Sequence, residues 1–227
     1  DPGSGVYYVN PNFSSASARD IFVLKLDSFG NFKWVKNSNA STSPNNYVKS
    51  ISIDNQSNLI ITGVFLGTSN FNMNGGTNNL SSSGNKDIFL LKLDNVGNFI
   101  WVKKIGGVND DLVFSAQIDN TDNIYYGGAF WLSVDFDPGV AIYNLTSSSS
   151  TAQDAFISKL DSSGNFVWAK KMGGASFDQV RSISIDNNNN IYSTGYFSVS
   201  AEMDALSSFS LTSAGGYDIF VHKINDC

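Results

Sequence analysis

Asp20-Ile-Phe-Val-Leu-Lys-Leu-Asp27 returns in the same chain as Asp87-Ile-Phe-Leu-Leu-Lys-Leu-Asp94, Asp154-Ala-Phe-Ile-Ser-Lys-Leu-Asp161 and Asp218-Ile-Phe-Val-His-Lys-Ile-Asn225. The four copies start 67, 67 and 64 residues apart. Gly30, Gly97 and Gly164 keep the step of 67, and so do Trp34, Trp101 and Trp168. Self-similarity at a fixed period means stacked units, each burying a core against its neighbours.

Within a unit, short apolar or alternating segments are bounded by Asn, Asp, Gly and Ser, the pattern of strands and turns. Four strands recur, A to D. Strand A is predicted over 48–54, 113–119 and 180–186, and strand B over 58–65, 123–130 and 190–197. Strand C is the Asp-x-Phe segment, and strand D is predicted over 31–37, 98–104 and 165–172. Strands C and D are apolar on both sides. Tandem four-stranded antiparallel sheets buried on both faces read as β-propeller blades. A sandwich would expose one polar face of each sheet, and the coils of a β-solenoid are shorter and lack tight hairpins.

The chain reads C-D, A-B-C-D, A-B-C-D, A-B-C, just over three blades of an incomplete ring. The expectation is one partial propeller domain over 1–227, with units at about 1–38, 48–105, 112–172 and 180–225. Asp1-Pro-Gly3 repeats Asp137-Pro-Gly139, so the first unit opens in mid-blade. A longer chain, or a second copy, would supply the remaining blades; a four-bladed ring is the alternative. Cys227 follows the last repeat strand, which points to a junction with a further segment.

The turns carry their own chemistry. Gly30, Gly97 and Gly164 give the C–D hairpins a residue at positive φ. Asp27, Asp94 and Asp161 open those turns and Asp54, Asp119 and Asp186 open the A–B turns, where a carboxylate accepts the turn's own N–H groups.

Composition excludes several functions. The net charge is −6 and the 14 basic residues are scattered, so no clustered positive field exists to bind nucleic acid. The longest stretch free of charged and strongly polar residues, 124–132, is too short for a membrane-spanning helix. With one His (His222) and one Cys, a Ser-His-Asp or Cys-His centre and a Cys/His zinc site lack their parts. Arg19 and Arg181 are the only arginines, one short of a sialidase-type triad. Glycosidase chemistry needs paired carboxylates, and here only Asp is available in number and most Asp residues occupy repeated turn positions. The expectation is a protein without catalytic residues and without a cofactor.

The long B–C connections, 66–86, 131–153 and 198–217, share one face with the D–A loops 106–112 and 173–179, and long loops carry function. Phe71, Trp131, Asp135, Phe136, Asp137 and Tyr143 are the candidate ligand-facing residues, suited to carbohydrate or protein through hydrogen bonds and stacking. Asp119 and Asp122 in one A–B turn are a weak candidate for calcium. Asp110-Asp111 with Asp135 and Asp137 form a second acidic cluster. Asp20, Asp87, Asp154 and Asp218 read as structural anchors, as do Gly30, Gly97 and Gly164 and the tryptophans. Trp34, Trp101 and Trp168 are expected to be buried, with Lys36, Lys103 and Lys170 over the indole edges. Lys25, Lys92, Lys159 and Lys223 read as stems packed between blades, their ammonium groups on a carboxylate or carbonyl.

The combined pattern Asp-x-Phe-x-x-Lys-Leu-Asp-x-x-Gly-Asn-Phe-x-Trp-x-Lys resembles the bacterial seven-bladed-propeller repeats known as SBBP repeats. The similarity continues through Gly106-Gly107, Gly173-Gly174, Tyr192-Ser-Thr-Gly195-Tyr-Phe and Asp135-Phe-Asp-Pro-Gly139. The resemblance implies a secreted or cell-surface bacterial protein and no defined activity. The function expected is a non-enzymatic binding or adhesion module for protein or carbohydrate at the cell surface. The alternatives are a glycan-active hydrolase or lyase and a structural spacer within a larger surface protein.

Overall fold

The computed structural model describes residues 19–40, 45–204 and 209–225. Asp1-Pro-Gly3 and Cys227 lie outside them. The described residues contain strands and turns and no helix.

The first unit contributes a two-stranded sheet, β1 (Phe22–Leu26) and β2 (Phe32–Asn37), which are its strands C and D. The second unit runs β4 (Tyr47–Ile53), β5 (Leu59–Asn70), β6 (Asn79–Leu93) and β7 (Phe99–Ile105), antiparallel throughout, with the short β3 (Asn39–Ala40) pairing on β5. The third is a complete A-B-C-D sheet of β8 (Leu112–Ile118), β9 (Ile124–Phe130), β12 (Asp154–Leu160) and β13 (Phe166–Met172). The fourth has three strands, β14 (Gln179–Ile185), β15 (Ile191–Phe197) and β18 (Asp218–Ile224). These are propeller-type blades in tandem, and the ring is incomplete.

The blades stack by one repeated contact. Phe89, Leu91 and Leu93 of β6 share a core with Ile21 and Val23 of the first blade. Phe156 and Leu160 of β12 pack with Ile60, Val64, Ile88 and Leu90 of the second. Phe220 and Ile224 of β18 pack with Ala155, Ile157 and Met172 of the third. The Phe/Leu side of each C strand therefore lies on the Ile/Val side of the blade before it. Each such aromatic or aliphatic side chain contributes about 1.5–3 kcal/mol through burial.

Two expectations need correction. The B–C connections are not open loops. In the second blade, β5 and β6 extend past a bulge at Leu66/Thr68 and pair as far as Asn70 opposite Asn79. In the third, β10 (Ser133–Asp135) pairs with β11 (Asn144–Thr146), and in the fourth β16 (Ser200–Asp204) pairs with β17 (Phe209–Thr212). Ser and Thr alternating with apolar residues is a strand pattern, and the polar composition had disguised it. The tryptophans, in turn, are half-buried rather than buried, because each sits on a D strand at the outer edge of its sheet. They still pack on the cores, Trp34, Trp101 and Trp168 each on a different one. The Lys170 ammonium lies 5.6 Å from the Trp168 ring centroid, as the strand's alternation predicts.

The hairpin glycine has a second duty besides its φ of +79° at Gly164. A Cβ there would lie 2.8 Å from Lys103 Cε and 3.3 Å from Trp101, so the turn is seated on the Trp/Lys edge of the preceding blade. Gly97 sits on Trp34 and Lys36 in the same way. Gly164→Ala is expected to cost about 1–2 kcal/mol through its left-handed backbone alone. Urea denaturation measures this; an unchanged midpoint would show that the turn relaxes freely.

Candidate functional site

The repeated carboxylates are built into the scaffold. Asp87 opens the C segment of the second blade fully buried; it accepts the Ser83 N–H at 2.7 Å and faces Lys104 Nζ at 3.5 Å. Asp154 does the same with Ser148 N–H at 2.8 Å and Lys171 Nζ at 3.4 Å. Asp218 accepts Ala214 N–H at 2.6 Å, and Asp20 accepts the Ser38 hydroxyl at 2.9 Å. Asp87, Asp154 and Asp218 thus tie the returning strand to the B–C connection, and Asp20 ties its strand to the segment after strand D. Burial raises the pKa of both Asp87 and Asp154.

Beside them lies a position that reading by motif had missed in part. Asp111 and Asp178, 67 residues apart in the D–A loops, are buried. Asp111 accepts Gly107 N–H at 2.6 Å and Trp131 N–H at 3.4 Å. Asp178 accepts Gly174 N–H at 2.8 Å and Ser198 N–H at 3.2 Å. Burial, with the like charges of Asp87 and Asp154 behind it, pushes both up to about 7. The second acidic cluster therefore divides. Asp111 is internal, Asp110 pairs with Lys86 at 3.1 Å, and Asp135 and Asp137 cap their own hairpin by accepting the N–H groups of Asp137, Tyr143 and Gly139.

The calcium candidate also turns inward. Asp119 accepts Thr121 N–H, Asn123 N–H, Asn123 Nδ2–H and the Tyr125 hydroxyl. Asp122, at φ 65°, accepts Asn55 N–H at 2.8 Å and Gln56 Nε2–H at 2.9 Å from the neighbouring blade's turn. Positive hydrogen atoms occupy the oxygens that a cation would need. The repeated lysines act in the same structural sense. Lys92 Nζ lies 2.9 Å from Asp54 and donates to the Ser162 carbonyl of the next blade, as Lys25 donates to Asn95. Lys159 and Lys223 lie over the rings of Tyr125 and Tyr192.

Of the candidate ligand-facing aromatics, Phe71 and Phe136 are corrections: both are fully buried. Phe71 packs on Phe65 and Phe89, and Phe136 on Phe130 and Phe156, so each staples its hairpin to a blade. Tyr143 leans on Phe166 at 4.7 Å and stays partly exposed, and Trp131 meets Phe177 edge-on. Exposed apolar groups of these connections include Val140 and Ile142 at the hairpin tip, with Val108, Val199, Phe209 and Tyr217 elsewhere. The β-bulges were also missed. Strand A is bulged at one place in each blade, between Val48 and Ser50, Val113 and Ser115, and Val180 and Ser182. The extra residues, Lys49, Phe114 and Arg181, come from different chemical types, so they do not show up as a motif.

No protein-family model matches the chain. Over 166 residues, 66% of this chain, it is 30% identical to an uncharacterized WD repeat-containing protein of Acanthamoeba polyphaga mimivirus, of which it covers 12%. Over 138 residues, 61% of the chain, it is 23% identical to the regulatory protein FlaEY of Caulobacter vibrioides, covering 14% of it. The chain thus spans about an eighth of the length of these relatives. Sheet order, period and relatives agree on the class: a β-propeller-type repeat protein.

Proposed function

We propose that the chain is a non-enzymatic binding module of a secreted or cell-surface protein, acting through the face that carries the B–C hairpins. The observation that carries this reading is the β10–β11 hairpin. It is braced by buried Phe136 and by Tyr143 on Phe166, yet it holds Val140 and Ile142 in water, with Val140 wholly exposed. A braced element that displays apolar side chains is suited to protein contact. The SBBP resemblance supports the cell-surface setting, and the commitment of the repeated Asp residues to turn and strand caps supports a role without turnover.

Beads coated with the purified protein should adhere to an array of surface proteins and glycans. The Val140→Asp/Ile142→Asp double variant should melt like the wild type and lose most of that adhesion. Turnover of any arrayed glycan, abolished by Asp135→Asn or Asp137→Asn, would instead establish an enzyme.

A further inference from the structure

We infer that the bulge positions of the three A strands form a binding site for carboxylate side chains, taking an acidic, extended peptide segment; the inference rests on the binding-module reading above. Lys49, Phe114 and Arg181 are the unpaired residues of the three bulges, and bulges re-aim side chains out of the sheet. Here they aim at one another across neighbouring blades. The Arg181 guanidinium carbon lies 4.2 Å from the Phe114 ring centroid and 5.3 Å from that of Tyr196. Lys49 Nζ lies 6.0 Å from the same Phe114 centroid and 5.9 Å from Tyr47. Arg19 continues the row over Tyr47, at 4.9 Å. Both arginines of an acidic chain therefore stand in one line of alternating cations and rings.

Arg19 donates to the Tyr47 hydroxyl, whereas the donors of Lys49 and Arg181 are unspent. Among the described residues no carboxylate pairs with Lys49 or Arg181, and Arg181 makes no hydrogen bond. A guanidinium resting over rings by its carbon still offers its planar fork of N–H groups, which matches a carboxylate in bidentate fashion. Both residues are exposed at the surface. Sharing one ring, Lys49 and Arg181 are at most about 10 Å apart. An extended peptide carries alternate side chains on one face about 6.6 Å apart, a spacing that lets two carboxylates reach the two cations. The rings are already covered by the protein's own cations, which argues against their use as stacking platforms for sugars.

The test uses a fluorescein-labelled Gly-Glu-Gly-Glu-Gly-Glu-Gly peptide, its Gln counterpart and polygalacturonate, read by polarisation against the full chain. The Glu peptide should bind and the Gln peptide should not, with affinity falling as salt is raised. Arg181→Gln and Lys49→Gln should each weaken binding about tenfold or more, and Arg181→Lys should restore only part. Lys33→Gln, at the opposite end of a blade, and the hairpin-tip double variant should bind like the wild type, so failure here and failure of the tip are separate results. Absent binding, equal binding of the Gln peptide, an unaffected Arg181→Gln protein with a normal melt, or binding of polygalacturonate alone would each overturn the inference.

Discussion

Lys92→Met is expected to lower the stability of the chain by about 3–5 kcal/mol, the cost of stranding one charge of a buried pair. The Lys92 and Asp54 side chains are 8% and 1% exposed, and their charged atoms are 2.9 Å apart. Methionine fills the stem's volume and removes the ammonium. Asp54 keeps its hydrogen bonds from Gln56 N–H, Asn58 N–H and Asn58 Nδ2–H, but they cannot neutralise it. The Ser162 carbonyl of the next blade loses its donor at the same time, so a turn inside one blade and the contact between two blades fail together. Lys25→Met is the internal reference: its ammonium makes the corresponding bond to Asn95, yet the residue is exposed. That variant should lose less than about 1 kcal/mol. Urea unfolding of both proteins, with the Lys92→Met/Asp54→Asn double variant to isolate the coupling, decides the matter. Equal losses at Lys25 and Lys92 would show that the buried pair is dispensable.

That pair also shows how much could be read from the sequence. The lysine recurs at one position of every C strand, and recurrence in all units is what a packing role requires, so its structural duty was legible. The same logic located the Asp caps, because a carboxylate followed by Asn four residues on is a local device whose geometry the chain alone determines. The hairpins inside the B–C connections were not legible, because Ser-rich strands resemble loops when composition is read without alternation. The burial of Phe71 and Phe136 was hidden for a related reason: which side of a connection folds back onto a blade depends on the neighbouring unit. The bulge row was the least visible. Lys49, Phe114 and Arg181 share a position and no chemistry, and only the register of strand A against strand B brings them into line.

The buried carboxylates of the D–A loops set the response to pH. Asp111 and Asp178 sit at about 7 in the folded protein, against 3.8 in an unfolded chain, because burial penalises their charged forms. Between those values the folded state holds protons that the unfolded state has released. Stability from these two groups is therefore greatest on the acid side and falls as pH rises from about 4 through 7. The turn carboxylates act in the opposite sense: Asp27, held at about 2 chiefly by the Asn31 N–H, stabilises above the unfolded value and loses that effect only as pH falls toward 2. The two trends leave a maximum in mildly acidic solution. A three-unit shift amounts to about 4 kcal/mol for one group as an upper bound. The first blade shows how to remove the effect. Asn46 occupies the corresponding place, its N–H donating to the Arg19 carbonyl as that of Asp111 donates to Lys86 and that of Asp178 to Gln153. An amide keeps an acceptor for Gly107 and carries no charge to desolvate. The Asp111→Asn/Asp178→Asn protein should therefore melt well above the wild type at about pH 8, by less at about pH 5, and close to it only below about pH 4, its stability profile flattened across the interval. Differential scanning calorimetry at several pH values reads this directly, and a double variant that declines in parallel with the wild type would show that other groups carry the pH dependence.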